Sequence, residues 1–143
     1  MNKNGFTLIE LLVAVAIIGI LSAVGAVAYL GYVDSARQQQ AKTGLSSIAM
    51  QQEEYRAMNR VYYPGTANAC NDNDNDNTSI NNGLFNGDQV LEDDNYTFCI
   101  ATPANGLSYT AHAYSVETGN NDTFSITNTK VKASSIDGNA GTW

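Results

Sequence analysis

Between Leu11 and Val33 the chain carries no charged side chain over 23 consecutive positions, and this run constrains the fold more than any other feature. About 20 apolar residues suffice for a helix to cross the hydrocarbon core of a bilayer. Just before the run stands Glu10, in an apolar context that reaches back to Phe6. An ionisable group in such a segment is costly in lipid and by default marks a functional position with a partner. No Lys or Arg within the span supplies that partner. A secretory signal peptide places its small-residue cleavage junction after the apolar stretch. Here the junction, Gly5-Phe6, comes before it, behind the short polar leader MNKNG with its single Lys3.

The leader followed by GFTLIELLVAVAIIGIL resembles the type IV pilin family, as a type IVa-like prepilin with a class III signal peptide, nearly without interruption over residues 4–21. The resemblance implies cleavage between Gly5 and Phe6 by a prepilin peptidase, and N-methylation of the new amine on Phe6 by the same enzyme. The hydrophobic helix then serves first as an inner-membrane anchor and later as filament core. It also gives Glu10 a role: neutralising the Phe6 amine of a neighbouring subunit and setting axial register. Low dielectric strengthens such a pair, and buried polar pairs are known to set register in coiled coils. Many relatives carry a Pro near the position of Val27; this chain reads AVGAVAY there, so the helix-kinking residue is missing. Gly19 and Gly25 remain, each weakening a helix by ~1 kcal/mol relative to Ala.

The formal charge is −7. Residues 1–60 hold five cations (Lys3, Arg37, Lys42, Arg56, Arg60) against four acids, whereas residues 61–143 hold only Lys130 and Lys132 against ten. Lys3 fits retention of the leader in the cytoplasm, so that the head faces outward. An acidic head favours solubility and speaks against nucleic acid as a partner, which needs a basic surface. In an oxidising compartment the two cysteines, Cys70 and Cys99, are expected to form a disulfide. Closing a loop of that length stabilises by about 3–4 kcal/mol in the chain-entropy model.

The resemblance and the residue patterns together predict an α+β fold. A leader (1–5) is followed by a hydrophobic transmembrane and assembly helix (6–33) that protrudes from a globular head (34–143). Within the head, apolar positions Ala41, Leu45, Ile48, Ala49, Tyr55 and Met58 fall at helical spacing, so one helix is expected from about Thr7 to Met58, amphipathic over 34–60. Asn59, able to adopt a left-handed conformation, and Pro64 are expected to end it. Residues 61–95, rich in Asn, Asp and Gly, read as a surface loop with at most a short element near Leu84–Leu91. Alternation then predicts an antiparallel meander of three to four strands over 96–132, with Tyr96, Phe98 and Ile100 on one face, Leu107, Tyr109, Ala111 and Ala113 together, and Phe124 and Ile126 inward. Residues 133–143 read as a tail anchored by Trp143.

Nothing in the chain forms a catalytic constellation, and neither enzymatic activity nor a cofactor is expected. His112, the only histidine, reads as a structural or surface residue. The run Asp72-Asn-Asp74-Asn-Asp76 raises a weak Ca²⁺ possibility, but an EF-hand would need Gly at position 77 and Glu at 83, where the chain has Asn77 and Gly83. Sequons at Asn77, Asn95 and Asn121 mark surface loops. The leading expectation is a type IV pilus subunit that polymerises into an extracellular filament for adhesion, twitching motility or DNA uptake. Its expected partners are itself and sister pilins, the prepilin peptidase, and an assembly platform with its ATPase. One alternative is a major pseudopilin of a type II secretion system. The other is a minor pilin acting as a tip adhesin or DNA receptor.

Overall fold

The computed structural model describes residues 6–65, 69–92, 94–117 and 119–143. The leader, with Lys3 and Gly5, lies outside the described residues. The chain divides into two compact units, Met1–Ala36 and Arg37–Trp143. Helix α1 (Leu8–Asn59) contributes to both.

In the first unit, Leu8–Gly25 forms an 18-residue window of mean hydropathy 2.6, with none of it buried within the chain. Phe6, Leu8, Ile9, Leu11, Leu12 and the large apolar residues from Val13 to Val24 are all exposed. That much apolar surface in contact with water is not tolerated by a soluble monomer; it needs lipid or other helices.

The second unit holds the core. Ala41, Leu45, Ile48 and Ala49 of α1 are buried against a five-stranded sheet. Its strands run antiparallel in sequence order: β1 (Tyr96–Ala101), β2 (Thr110–Ser115), β3 (Thr123–Thr127), β4 (Lys132–Ile136) and β5 (Asn139–Gly141). Tyr96, Phe98 and Ile100 share the inner face with Tyr109, Ala111, Ala113, Phe124 and Ile126, as the alternation predicts. Each large side chain so buried contributes about 1.5–3 kcal/mol. Gly44 lets the Phe98 ring lie against the helix, since a Cβ there would overlap the ring.

Several expectations are corrected. Met58 is 70 % exposed and Leu107 61 % exposed; both fall beyond the ends of the packed faces. Gln52 continues the buried stripe instead, its Oε1 accepting from the Tyr63 N–H at 2.9 Å. Arg60, not Asn59, takes the left-handed conformation after the helix, with φ +64°. Residues 133–143 supply most of β4 and all of β5, so the meander has one strand more than expected. The turn between them is Asp137-Gly138, both with positive φ, the dipeptide that favours tight hairpins.

The connection to the sheet also differs from a bare loop. It forms α2 (Asn77–Leu84), earlier than the expected element, with Asn77, Ile80, Asn81 and Leu84 buried. Two asparagines hold it. Asn81 Nδ2 donates to Leu91 O at 2.9 Å, and its Oδ1 accepts from Leu91 N–H at 3.0 Å. Asn77 Oδ1 accepts from Phe98 N–H at 2.7 Å, and its Nδ2 donates to the carbonyls of Glu92 and Tyr96. The Asp76 N–H donates to Phe98 O at 3.0 Å. Phe98 lies on β1, an outer strand of the sheet, so Asp76 and Asn77 satisfy an edge that would otherwise be open to pairing with another chain.

Candidate functional site

At the N-terminus, Phe6 is 77 % exposed. Thr7 precedes the first helical residue, and its hydroxyl accepts from the Glu10 N–H and donates to Glu10 Oε2, each at 3.4 Å. Thr7-Leu-Ile-Glu10 has the spacing of a capping box, in which a hydroxyl and a carboxylate satisfy the free donors of the first turn. Glu10 therefore has a local contact that the motif alone does not reveal. The contact leaves the carboxylate exposed.

The disulfide links Cys70 to Cys99, with Cα atoms 5.9 Å apart, and ties the loop to the outer face of β1. Asp74 has an oxygen close to both sulfurs, but the sulfurs are bonded to one another and are not thiolate ligands. The three aspartates proposed for Ca²⁺ are not brought together as a set. Asp74 Oδ2 accepts from Asn71 N–H at 2.9 Å, Asp72 Oδ1 accepts from the Asn73 amide at 3.1 Å, and Asp76 leads into α2. Burial, then the charge of Asp74, pushes the Asp76 carboxyl above the usual range.

His112 sits opposite Cys99 on β2 and stacks on Tyr114 with ring centroids 5.7 Å apart. Burial lowers its pKa below the ordinary 6.5. The unfolded chain then takes up a proton at a higher pH than the folded chain. Stability from this group is complete above pH 6.5 and is lost as pH falls through the folded value. The melting temperature is expected to fall between about pH 7.5 and pH 5.5, and His112→Gln to flatten that dependence. An unchanged slope in the variant would assign it to other groups.

The head's cations are not scattered. Of the seven Lys and Arg, Lys3 is in the leader. Arg37 pairs with Glu117 at 2.7 Å. Lys42, Arg56, Lys130 and Lys132 lie along one flank of α1 and the adjoining part of β3–β4, and Arg60 follows the end of the helix. Lys42 and Arg56, 14 residues apart, fall at 3.6 residues per turn on one face of α1 with Ala49 and Glu53, and Arg60 follows just past the helix end, its N–H donating to Arg56 O at 2.8 Å. Lys42 Nζ lies 5.3 Å from the centre of the Phe124 ring, Phe124 meets Trp143 edge-on at 6.5 Å, and Lys132 Nζ lies 4.1 Å over Trp143. Further along, Lys130 Nζ reaches Ala49 O at 3.4 Å and Glu53 Oε1 at 3.2 Å. Arg56 lies over Tyr62, donating to its hydroxyl at 2.8 Å. The result is a band of four cations interleaved with aromatic rings, with Arg60 next to Arg56 at its end, on a molecule of net charge −7. Total charge conceals this band; the heptad-like spacing of Lys42 and Arg56 was its one signal in the sequence.

A long apolar N-terminal helix behind a Gly-Phe junction, followed by an antiparallel sheet packed on a helix, defines the type IV pilin class. In agreement, residues 1–26 match the prokaryotic N-terminal methylation motif. Residues 28–138 match the family described as type IV minor pilin ComP, DNA uptake sequence receptor, and the chain belongs to that family. No curated protein and no solved structure matches the chain significantly. The protein is a type IV pilin with a ComP-type minor-pilin head, processed by prepilin peptidase and assembling with other pilins. It is anchored in the membrane as a prepilin and later resides in the extracellular pilus. The family is structural.

Proposed function

We propose that this pilin displays a DNA-capturing head on a type IV filament. The reading takes up the minor-pilin alternative and the function that the family description names. The single observation that carries it is the cation band. Phosphate neutralisation supplies most of non-specific DNA affinity, and cations interleaved with aromatic rings are the electrostatic footprint of a nucleic-acid surface. An acidic remainder is compatible with this, because it repels DNA from every other face. Neither family match is to a pseudopilin.

The same proposal assigns the N-terminal residues and the division of the chain. Cleavage falls between Gly5 and Phe6, removing residues 1–5, and the Phe6 amine is methylated. Residues 6–33 form the anchor and assembly helix, residues 34–143 the head, and Glu10 pairs with a neighbour's Phe6 amine. An assembly platform and its ATPase extract the subunit from the membrane.

The test uses the full processed chain in detergent micelles and fluorescent duplex DNA. If all five cations touch phosphate, the slope of log affinity against log salt is about −4.5, at −0.9 per phosphate. On a duplex that all five contact, Lys130→Ala with Lys132→Ala should reduce the slope by about 2. No salt-sensitive binding at about 50 mM salt would remove the reading.

A further inference from the structure

Glu53 is the one acid on the face of α1 that carries Lys42 and Arg56. Its Oε1 accepts from Lys130 Nζ at 3.2 Å and from the Tyr62 hydroxyl at 3.4 Å. The Tyr62 hydroxyl in turn accepts from Arg56 Nη1 at 2.8 Å. The carboxylate is thus held through one oxygen, between two cations, and its side chain is 41 % exposed. Behind it the wall is neutral. Tyr109 is buried against Tyr62 with ring centroids 4.9 Å apart, and its hydroxyl has no hydrogen-bond partner. Burial first, then the charge of Glu53, holds the Tyr109 phenol protonated.

A carboxylate in the middle of a phosphate-binding band works against the band. A phosphate seated on Lys130 must share that ammonium with Glu53 or break the pair. Any duplex held by its backbone alone meets this penalty. A carboxylate only accepts hydrogen bonds, and phosphates offer none. The amino group of cytosine in the major groove does. A duplex that presents cytosine N4 at this point satisfies Glu53 and releases Lys130 to the backbone, whereas a duplex that presents an acceptor there leaves both penalties in place.

We propose that Glu53 is the specificity-determining residue of the band, penalising backbone-only DNA and accepting a hydrogen bond from a base amine of the matched sequence. The proposal rests on the DNA reading above and adds to it a residue and a base chemistry. It makes the Lys130–Glu53 pair a latch that unmatched DNA does not open.

The experiment compares two duplexes of equal length and composition: one selected by the full processed chain in micelles from fragments of the cell's own genome, and its shuffled counterpart. The variants are Glu53→Gln, Lys130→Gln and Glu54→Gln. Glu54 lies about 100° around the helix from Glu53 and removes the same charge away from the band. In Glu53→Gln, the shuffled duplex is expected to bind several-fold tighter. Its salt slope steepens by about 1 as Lys130 is freed. The ratio of selected to shuffled affinity should fall by about 5- to 150-fold, the range for one base's discrimination, because the glutamine amide donates to a base acceptor as readily as it accepts from a base amine. Lys130→Gln should weaken the selected duplex more than the shuffled one, on which Lys130 stays paired with Glu53, and so lower the ratio without steepening the shuffled slope. Glu54→Gln should preserve the ratio. The proposal is overturned if Glu53→Gln keeps the ratio or behaves like Glu54→Gln. A wild-type chain with no salt-sensitive binding overturns the DNA reading itself, and this proposal with it. Salt-sensitive binding with an unchanged ratio in Glu53→Gln removes the proposal alone.

Discussion

Asn77→Ala is expected to lower the melting temperature of the detergent-solubilised protein by more than about 10 °C, the largest effect of any single polar substitution in the head. Asn77 is 1 % exposed, and its amide does the work of a backbone segment beside β1. It accepts from Phe98 N–H and donates to the carbonyls of Tyr96 and Glu92. Alanine leaves the buried Phe98 N–H without its acceptor and takes one donor from the Tyr96 and Glu92 carbonyls, at about 1–3 kcal/mol for a buried group left unsatisfied, against a total stability of about 5–15 kcal/mol for a domain. It also uncovers the β1 edge, so aggregation should accompany the loss of stability. The same geometry speaks to the sequons. Asn77 is closed to a glycan in the folded chain, and Asn95 donates to Gln40 Oε1 at 2.8 Å, whereas Asn121 is exposed. A melting temperature within about 3 °C of wild type would show that water replaces the amide and that the edge is not held by Asn77.

Glu10→Val is expected to leave the protein inserted and cleaved but absent from sheared filaments. In an assembled helix bundle the partner amine of Phe6 would be left buried without its counter-charge. Breaking a buried ion pair by removing one member costs about 3–5 kcal/mol. The Thr7–Glu10 contact supplies a rival explanation, since valine also removes the capping interaction. Glu10→Gln separates the two. Glutamine still serves at the third position of a capping box, so helix content should match wild type, but its amide carries no charge. If pairing is the function, both variants fail to enter filaments. Normal filaments from Glu10→Gln would make the residue a helix cap and leave the register argument without support.

The helix was legible because its signals are local. A run of apolar residues without Pro needs no distant contact to be recognised, and neither does the alternation that marks β1 to β3. The cysteine pairing was legible because two cysteines in one oxidised chain have one intramolecular solution. Element α2 was not: Asn77, Asn81 and Asn82 are poor helix formers, and it folds because Ile80 and Leu84 are buried while the two buried asparagines tie it to backbone elsewhere. The β4–β5 hairpin carries Ile136 as its single large apolar residue, yet Asp137-Gly138 was a usable turn signal. Ser134 and Ser135 find their partners by register on β3 and β5, not by hydrophobicity.

The sequence by itself determined the membrane-length helix, the pilin class and the disulfide, all features that propagate along the chain or follow from pairing two residues. Only the tertiary structure decided which polar residues are core and where charge is concentrated. Asn77 reads as a loop sequon and is a buried bracket on the sheet edge. Lys130 and Lys132 read as two cations among ten acids and stand with Lys42 and Arg56 on one surface. Burial and electrostatic potential depend on distance through space, and residues 77 and 98, or 53 and 130, become neighbours only when the chain closes on itself.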